Sequence, residues 1–146
     1  MNNNYLPITL NLSNKKILFI GAGNVAYRKF IKVKKYSSNI SILSLEFNRE
    51  FENHMFNKII DYYNINYLEH YDIVFICTND KTLNLKIASD CASKNILYNN
   101  STSKDNMDFK MMASFEYEDY TINISSDKEL KDNLKFKEEL MKLLKK

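Results

Sequence analysis

The first third of the chain has apolar and polar positions in the order typical of a strand, a helix and a second strand. Residues 15–20 form a short apolar run, which predicts a buried strand. In residues 24–36 apolar side chains recur at helical spacing among lysines, at Ala26, Phe30 and Val33. Residues 40–45 form a second β-rich run. A strand, a helix and a strand within about thirty residues predict a βαβ unit.

The middle of the chain continues this alternation. We predict a short helix over residues 48–56 and a third strand over residues 59–63. Residues 72–77 and 96–98 are further apolar runs that predict strands. Between them, residues 82–93 predict a helix with one apolar face, formed by Leu83, Ile87, Ala88 and Cys91.

The pattern changes at residue 99. Residues 99–110 are polar and rich in turn-forming residues, and β-like composition returns at Phe115 and residues 120–125. The closing helix, residues 129–146, has its apolar positions at roughly heptad spacing: Leu130, Leu134, Met141 and Leu144. This helix could pack on its own domain or on another subunit.

These elements predict an α/β fold. Alternating strands and helices favour a Rossmann-type, doubly wound parallel sheet, which we place in residues 1–112 as an NAD-binding domain. Residues 113–146 would form a short β and helical extension.

Composition excludes several classes of protein. The chain has 146 residues, 45% hydrophobic and 27% charged, which suits a globular domain without disulfides or a structural metal. The net charge is only +3 and the lysines form no block, so we expect no nucleic-acid partner. No run approaches the roughly 20 apolar residues that cross a bilayer, and the first residues lack the features of a signal peptide. We therefore expect no membrane association and a cytoplasmic location.

The cysteines and histidines do not predict a metal site. Cys77 and Cys91 fall at apolar positions of a strand end and a helix, where free cysteine behaves as a small hydrophobe. His54 and His70 have no carboxylate or cysteine at metal-ligand spacing. We expect both histidines at the surface.

The strongest signal is the placement of glycine. The chain has two glycines, Gly21 and Gly23, and both lie in a G-x-G-x-x-A motif between a predicted strand and a predicted helix. In dinucleotide-binding domains the first glycine allows a tight turn, the second lets the backbone approach the pyrophosphate, and the small third residue, here Ala26, lets the helix pack closely on the strand. The alternative is a tight turn that binds nothing.

Polar residues follow the other predicted strands. Ser44 stands where an acidic ribose ligand is usual, and Glu46 comes two residues later. Glu46 would accept from ribose hydroxyls and disfavour a 2′-phosphate, which favours NAD over NADP. The alternative for Glu46 is an exposed loop residue.

A second polar group follows the fourth and fifth strands. Thr78, Asn79 and Asp80 lie where ligands of parallel sheets collect, although Asp80 could instead cap the next helix. Asn99 and Asn100 end the fifth strand at the same edge.

Taken together, these motifs resemble a known family. The residues concerned are Leu6-Pro7, the strand 16–20, the run G-A-G-N-V-A-Y-R-K, the later T-N-D, and the pair N-N followed by Phe109. They are similar to the precorrin-2 dehydrogenase family, the NAD-dependent module of siroheme synthases, over nearly the whole chain.

The resemblance implies oxidation of precorrin-2, a reduced tetrapyrrole with eight carboxylates, to sirohydrochlorin, with hydride passing to NAD. Some members of the family also insert ferrous iron. By position, Asn24 and Val25 match the family's pyrophosphate contacts, and Leu45 with Glu46 matches its cofactor contacts after the second strand. The implied substrate is a small-molecule tetrapyrrole, and the implied assembly is a homodimer.

The chain also departs from the family. Thr102 stands where the family carries an aspartate thought to act as the base, and Asp105 and Asp108 are the nearest carboxylates. We take Asp105 as the candidate base, with a solvated turn as the alternative. The family's Ser-x-Gly-Gly-x-Ser-Pro stretch is replaced by residues 125–130, and only the first helix of its dimerisation region is present. We therefore do not expect iron insertion, and a partner or second subunit would have to complete the substrate cleft.

The sequence thus predicts one function, NAD-dependent dehydrogenation of precorrin-2 in siroheme biosynthesis, and leaves two alternatives. In one, the protein is a catalytically weakened relative that binds dinucleotide or tetrapyrrole as a partner protein. In the other, it is an unrelated NAD-binding regulatory module.

Overall fold

The computed structural model describes residues 4–145, which form two compact units. Residues 8–109 form the larger unit, and residues 4–7 group with residues 110–145 in the smaller one. The larger unit contains β1 (Ile17–Ile20), α1 (Asn24–Val33), β2 (Ile40–Leu43), β3 (Asn57–Ile59), β4 (Ile73–Ile76), α2 (Lys81–Ser93) and β5 (Leu97–Asn100). Single 3-10 segments at Arg49–Phe51 and Ile65–His70 lie between these elements.

The five strands of the larger unit form one parallel sheet in the order β3-β2-β1-β4-β5. Ile20, the last residue of β1, pairs with Leu43 of β2 and with Ile76 of β4. The three central strands therefore end level. The strand order reverses beside β1, and in open parallel sheets the crevice at that point, outside the carboxyl ends of the strands, is where ligands bind.

Both faces of the sheet are covered, as a doubly wound fold requires. All residues of β1, β2 and β4 are buried, which is typical of parallel strands between two helical layers. On one face Phe30 of α1 meets Phe19, with ring centroids 6.2 Å apart. The other face is formed by a cluster from β1, β4 and α2: Leu18, Ile20, Val74, Ile76, Ile87, Ala88 and Cys91. The predicted fold class is confirmed.

Several element bounds differ from the predicted ones. The segment 48–56 forms only the 3-10 turn Arg49–Phe51, because its aromatic side chains pack on α1: Phe51 lies 5.4 Å from Phe30 between ring centroids. The third strand is Asn57–Ile59, earlier than expected. The fifth strand is Leu97–Asn100, so it runs on to include the buried Asn99 and Asn100. Asn99 bonds Lys29 of α1 and the Phe109 carbonyl, and Asn100 Oδ1 accepts from the N–H of Thr102.

The smaller unit contains a hairpin and a helix. Strands β6 (Ala113–Tyr117) and β7 (Tyr120–Ile124) pair antiparallel, and Glu118 in the turn between them has a φ of 50°. Helix α3 (Leu130–Leu144) packs against β6. Its apolar residues Leu130, Leu134, Phe136 and Leu143 are exposed.

Cys77 and Cys91 are buried free thiols, and burial raises the pKa of Cys91 to about 12. Within residues 4–145 no helix is long and apolar enough to span a membrane.

Gly21→Ala tests how closely the strand ends approach each other. Gly21 has a φ of 101°, and a Cβ there would lie 2.6 Å from the carbonyl oxygen of Cys77. We expect the substitution to lower the free energy of unfolding by about 3 kcal/mol or more, measured by urea unfolding, because both the backbone conformation and the contact are unfavourable.

Gly23→Ala is the matched control. Gly23 has a φ of −89°, and a Cβ there meets nothing within 4 Å. A loss of at most about 1 kcal/mol is expected, since alanine is only a poorer helix N-cap. Equal losses in the two variants would contradict the close approach at position 21.

Candidate functional site

A cleft of about 830 Å³ lies at the carboxyl edge of the sheet in the larger unit. It brings together eight of the residues expected to bind the cofactor: Gly21, Gly23, Asn24, Val25, Leu45, Glu46, Thr78 and Asn79. Four other expected site residues are not among those that line it: Ala26, Asp80, Asn99 and Asp105.

The N-terminus of α1 opens into the cleft. Gly23 is its N-cap and supplies no side-chain hydrogen bond, and the first turn contains no acidic residue. The first N–H groups of a helix have no acceptor within the helix and carry its positive dipole end. A phosphate therefore fits this terminus, and the open space at Gly23 lets an anion approach the backbone.

Three hydrogen bonds hold the glycine turn and the start of α1 in place. The Gly21 N–H donates to the Leu43 carbonyl at 2.9 Å, and the Asn48 N–H donates to the Ala22 carbonyl at 2.9 Å. The Asn48 amide also donates to the side chain of Asn24. Asn48 was missed by the sequence reasoning, because an isolated loop asparagine carries no motif.

Ala26 and Asp80 have structural roles. Ala26 is fully buried on α1, in agreement with its expected part in close packing of the helix on the strand. Asp80 caps α2, since its carboxylate accepts from the Leu83 N–H at 3.0 Å. Of its two expected roles, the structure shows the cap.

The buried side chain of Asn84, on α2, holds Thr78 in place at the carboxyl edge of the sheet. Its hydroxyl donates to Asn84 Oδ1 at 2.5 Å, and Asn84 Nδ2 donates to the Thr78 carbonyl at 2.9 Å. Asn84 Nδ2 also donates to the hydroxyl of Thr102 at 3.2 Å. Asn84 is fully buried, so it joins α2 to the loops after β4 and β5.

Asn99 is used inside the protein. Lys29 Nζ donates to its Oδ1, and its Nδ2 donates to the Phe109 carbonyl at 2.8 Å. Lys29 also donates to the hydroxyl of Ser101 at 2.8 Å, which lies 3.2 Å from the sulfur of Cys77. Burial lowers the pKa of Lys29 and raises the pKa of the Cys77 thiol.

The two candidate carboxylates after β5 differ. Asp108 accepts from the Tyr98 N–H at 3.1 Å and returns a backbone hydrogen bond to the Tyr98 carbonyl at 2.9 Å. Asp105 is exposed on the same loop. Thr102 donates its hydroxyl to Asn100 Oδ1 at 3.0 Å. Asp105 and Asp108 are both exposed, but the carboxylate of Asp108 accepts a backbone hydrogen bond.

Two carboxylates stand at the outer end of the cleft. Glu46 lines it after β2 and Asp61 lines it after β3. Tyr67 donates to Asp61 Oδ2 at 2.5 Å and the Tyr62 N–H donates to Asp61 Oδ1 at 2.7 Å. The hydrogen bond from Tyr67, followed by that from Tyr62, lowers the pKa of Asp61. Sequence reasoning did not single out Asp61, because the third strand was placed over it.

The histidines take part in no metal cluster. His54 Nε2 lies 3.1 Å from the Tyr27 hydroxyl, and Lys34 Nζ lies 2.7 Å from its Nδ1. Across the described chain, no group of three or more His, Cys, Asp and Glu residues could hold a metal ion.

The chain matches a protein family over most of its length and is similar to individual siroheme synthases. Residues 8–113 match the family described as "Putative NAD(P)-binding". The siroheme synthase of Psychrobacter arcticus is 27% identical over 128 residues, which cover 85% of this chain and 23% of that protein. The siroheme synthase of Psychromonas ingrahamii is 29% identical over 126 residues, which cover 84% and 27%. The chain thus spans about a quarter of the length of the curated relatives it matches.

A solved structure named "SirC, precorrin-2 dehydrogenase" has the same fold. Its TM-score is 0.80, with 18% identity, over 93% of this chain and 69% of that one. The family match covers the whole sheet and the cleft. The chain therefore belongs to this NAD(P)-binding family, and the resemblance to precorrin-2 dehydrogenases and siroheme synthases expected from its motifs is confirmed.

Proposed function

We propose that the chain is an NAD-dependent dehydrogenase that oxidises precorrin-2 to sirohydrochlorin in siroheme biosynthesis. The observation that carries the proposal is the uncapped N-terminus of α1 at a glycine turn, where a Cβ on Gly23 would meet nothing within 4 Å. This geometry suits the close backbone approach that a dinucleotide pyrophosphate requires. The names of the siroheme synthase relatives support the substrate.

Each part of the cleft has a role in this proposal. Asn24 and Val25 would meet the pyrophosphate, and Leu45 with Glu46 would meet the adenosine ribose. Thr78 and Asn79 follow β4, on the other side of β1 from Glu46, and would lie toward the reacting end of the cofactor. The bound nicotinamide supplies the hydride acceptor. The protein's contribution is to orient the substrate and to hold a base for the departing proton.

Asp105 is the residue we propose as the base. Thr102 cannot fill this role, because an alcohol is too weak a base at neutral pH. The carboxylate of Asp108 already accepts a backbone hydrogen bond. The carboxylate of Asp105 faces solvent on the loop after β5, where a substrate could reach it.

A catalytically weakened relative is the second candidate function. It is favoured by a specific observation: Asp105 is not among the residues that line the cleft, and Thr102 has an alcohol in place of the family's carboxylate. Such a protein would bind dinucleotide or tetrapyrrole without turnover.

We also propose a homodimer formed through α3. The support is the set of exposed apolar residues on that helix, Leu130, Leu134, Phe136 and Leu143. Leu130 and Leu134 lie one turn apart on one face of α3, and an exposed apolar face of this kind is typical of an interaction site.

Gly23→Ala tests the dinucleotide site. We expect the NAD dissociation constant to rise at least tenfold, measured by calorimetry, because the added methyl occupies the space through which the pyrophosphate would approach. The melting temperature should stay close to that of the wild type, since a Cβ at this position meets no atom within 4 Å. Unchanged NAD affinity would show that the pyrophosphate does not bind at this turn.

Asp105→Asn tests the base. Purified protein is incubated anaerobically with precorrin-2 and NAD, and sirohydrochlorin is followed by its absorption spectrum. We expect turnover to fall by about 100-fold or more, as for loss of a general base. Asp119→Asn, an exposed carboxylate in the hairpin of the smaller unit, is the control and should leave turnover unchanged.

The other outcomes separate the candidates. Equal turnover in wild type and Asp105→Asn would remove Asp105 from the mechanism and leave the dehydrogenase intact. Absence of turnover in the wild type, with NAD still bound, would favour the weakened relative.

A further inference from the structure

The charged residues that line the cleft are all anionic. Glu46 and Asp61 are its two carboxylates, and no lysine or arginine is among its lining residues in the described chain. A 2′-phosphate is normally accommodated by a basic side chain, usually arginine. In this cleft, a 2′-phosphate near β2 and β3 would instead meet the negative charges of Glu46 and Asp61.

The two carboxylates come from adjacent strands. Leu43 of β2 pairs with Ile59 of β3 in parallel register. Glu46 follows Leu43 by three residues, and Asp61 follows Ile59 by two. Both therefore leave the same edge of the sheet at neighbouring positions.

The two carboxylates differ in how they are held. Asp61 accepts a hydrogen bond at each oxygen, from the Tyr67 hydroxyl at 2.5 Å and from the Tyr62 N–H at 2.7 Å. These hydrogen bonds hold the carboxylate in place and favour its anionic form, because they lower its pKa. Glu46 is exposed, and no side-chain hydrogen bond is described for it among residues 4–145. Glu46 is free to turn toward a ligand, whereas Asp61 is a fixed charge.

The basic residue of β3 lies beside the cleft but does not line it. Lys58 Nζ lies 4.4 Å from the centroid of the Phe47 ring, and Lys58 is not a lining residue. Lys86, on α2, is paired with Asp90 at 2.8 Å.

We propose that Asp61 determines cofactor specificity by excluding dinucleotides that carry a 2′-phosphate, while Glu46 accepts the ribose hydroxyls. The inference rests on the proposed function, since it requires a dinucleotide in this cleft. Because each oxygen of Asp61 already accepts one hydrogen bond, fewer of its lone pairs remain for ribose hydroxyls than in Glu46. Asp61 still repels a phosphate of about two negative charges that lies within a Debye length.

The test is a comparison of dissociation constants for NAD and NADP, measured by calorimetry in low salt. The variants are Asp61→Asn, Glu46→Gln and Tyr67→Phe, with Glu52→Gln as the control. Glu52 is an exposed carboxylate of the same unit that does not line the cleft. Melting temperatures confirm that each variant is folded.

The expected results separate the two carboxylates. Asp61→Asn should strengthen NADP binding about tenfold and leave NAD binding within about twofold. Glu46→Gln should weaken NAD binding, because a good acceptor for the hydroxyls is lost. Tyr67→Phe keeps the charge and should keep the preference for NAD, and the control should change neither constant. Raising the ionic strength should reduce the preference of the wild type.

Two outcomes would overturn the inference while leaving the proposed function intact. One is NAD binding by the wild type with NADP affinity unchanged in Asp61→Asn. The other is an equal gain for both dinucleotides, which would indicate general repulsion and not discrimination at the ribose. Failure of the wild type to bind either dinucleotide would instead remove the proposed function, and the inference with it.

Discussion

The ends of β1 and β4 lie so close together that the chain leaving β1 has no room for a side chain at position 21. A Cβ there would lie 2.6 Å from the Cys77 carbonyl oxygen, and the backbone turns with a φ of 101°. Hydrogen bonds tie this turn to β2 through Leu43, and tie β4 to β1 through the Cys77 N–H and the Ile20 carbonyl. Because the chain leaves the sheet so sharply, α1 begins at the strand ends. Its unpaired N–H groups therefore face the crevice where the strand order reverses.

Buried polar side chains then hold the loops around this crevice. Loops at strand ends are usually mobile, but Asn84 fixes Thr78 from below, and Lys29 fixes Asn99 from the side of α1. An unpaired buried amide costs about 1–3 kcal/mol, so these networks hold their shape once formed. Asn99 in turn binds the Phe109 carbonyl, so the loop after β5 is anchored at its end while Asp105, in its middle, is exposed.

The sheet and the glycine turn at its carboxyl edge could be predicted from the sequence because their signals are local. A buried strand, two glycines and an amphipathic helix are adjacent in the chain, and each constrains its neighbours. The residues that were missed depend on pairing between distant segments. Asp61 gains its place from the register of β3 on β2 and from Tyr67, and Lys29 meets Asn99 across 70 positions. Periodicity carries no information about such partners. The strand 57–59 was misplaced for a related reason, since its residues are mostly exposed and lack an apolar pattern.

The loop after β5 contains an unpaired buried polar atom beside Thr102, at the position where the family resemblance places an acid. Asn100 is fully buried, and its Nδ2 has no hydrogen-bond partner in the described structure. Its Oδ1 accepts both the backbone N–H and the hydroxyl of Thr102. The backbone N–H of residue 102 donates to Asn100 Oδ1 whatever side chain that residue carries, so the unpaired Nδ2 does not depend on the threonine hydroxyl alone. An unpaired buried amide nitrogen costs about 1–3 kcal/mol. The Thr102 hydroxyl itself is bound to Asn100 and Asn84. It therefore belongs to the hydrogen-bond network that shapes this loop, and the base that the proposed reaction requires has to come from another side chain.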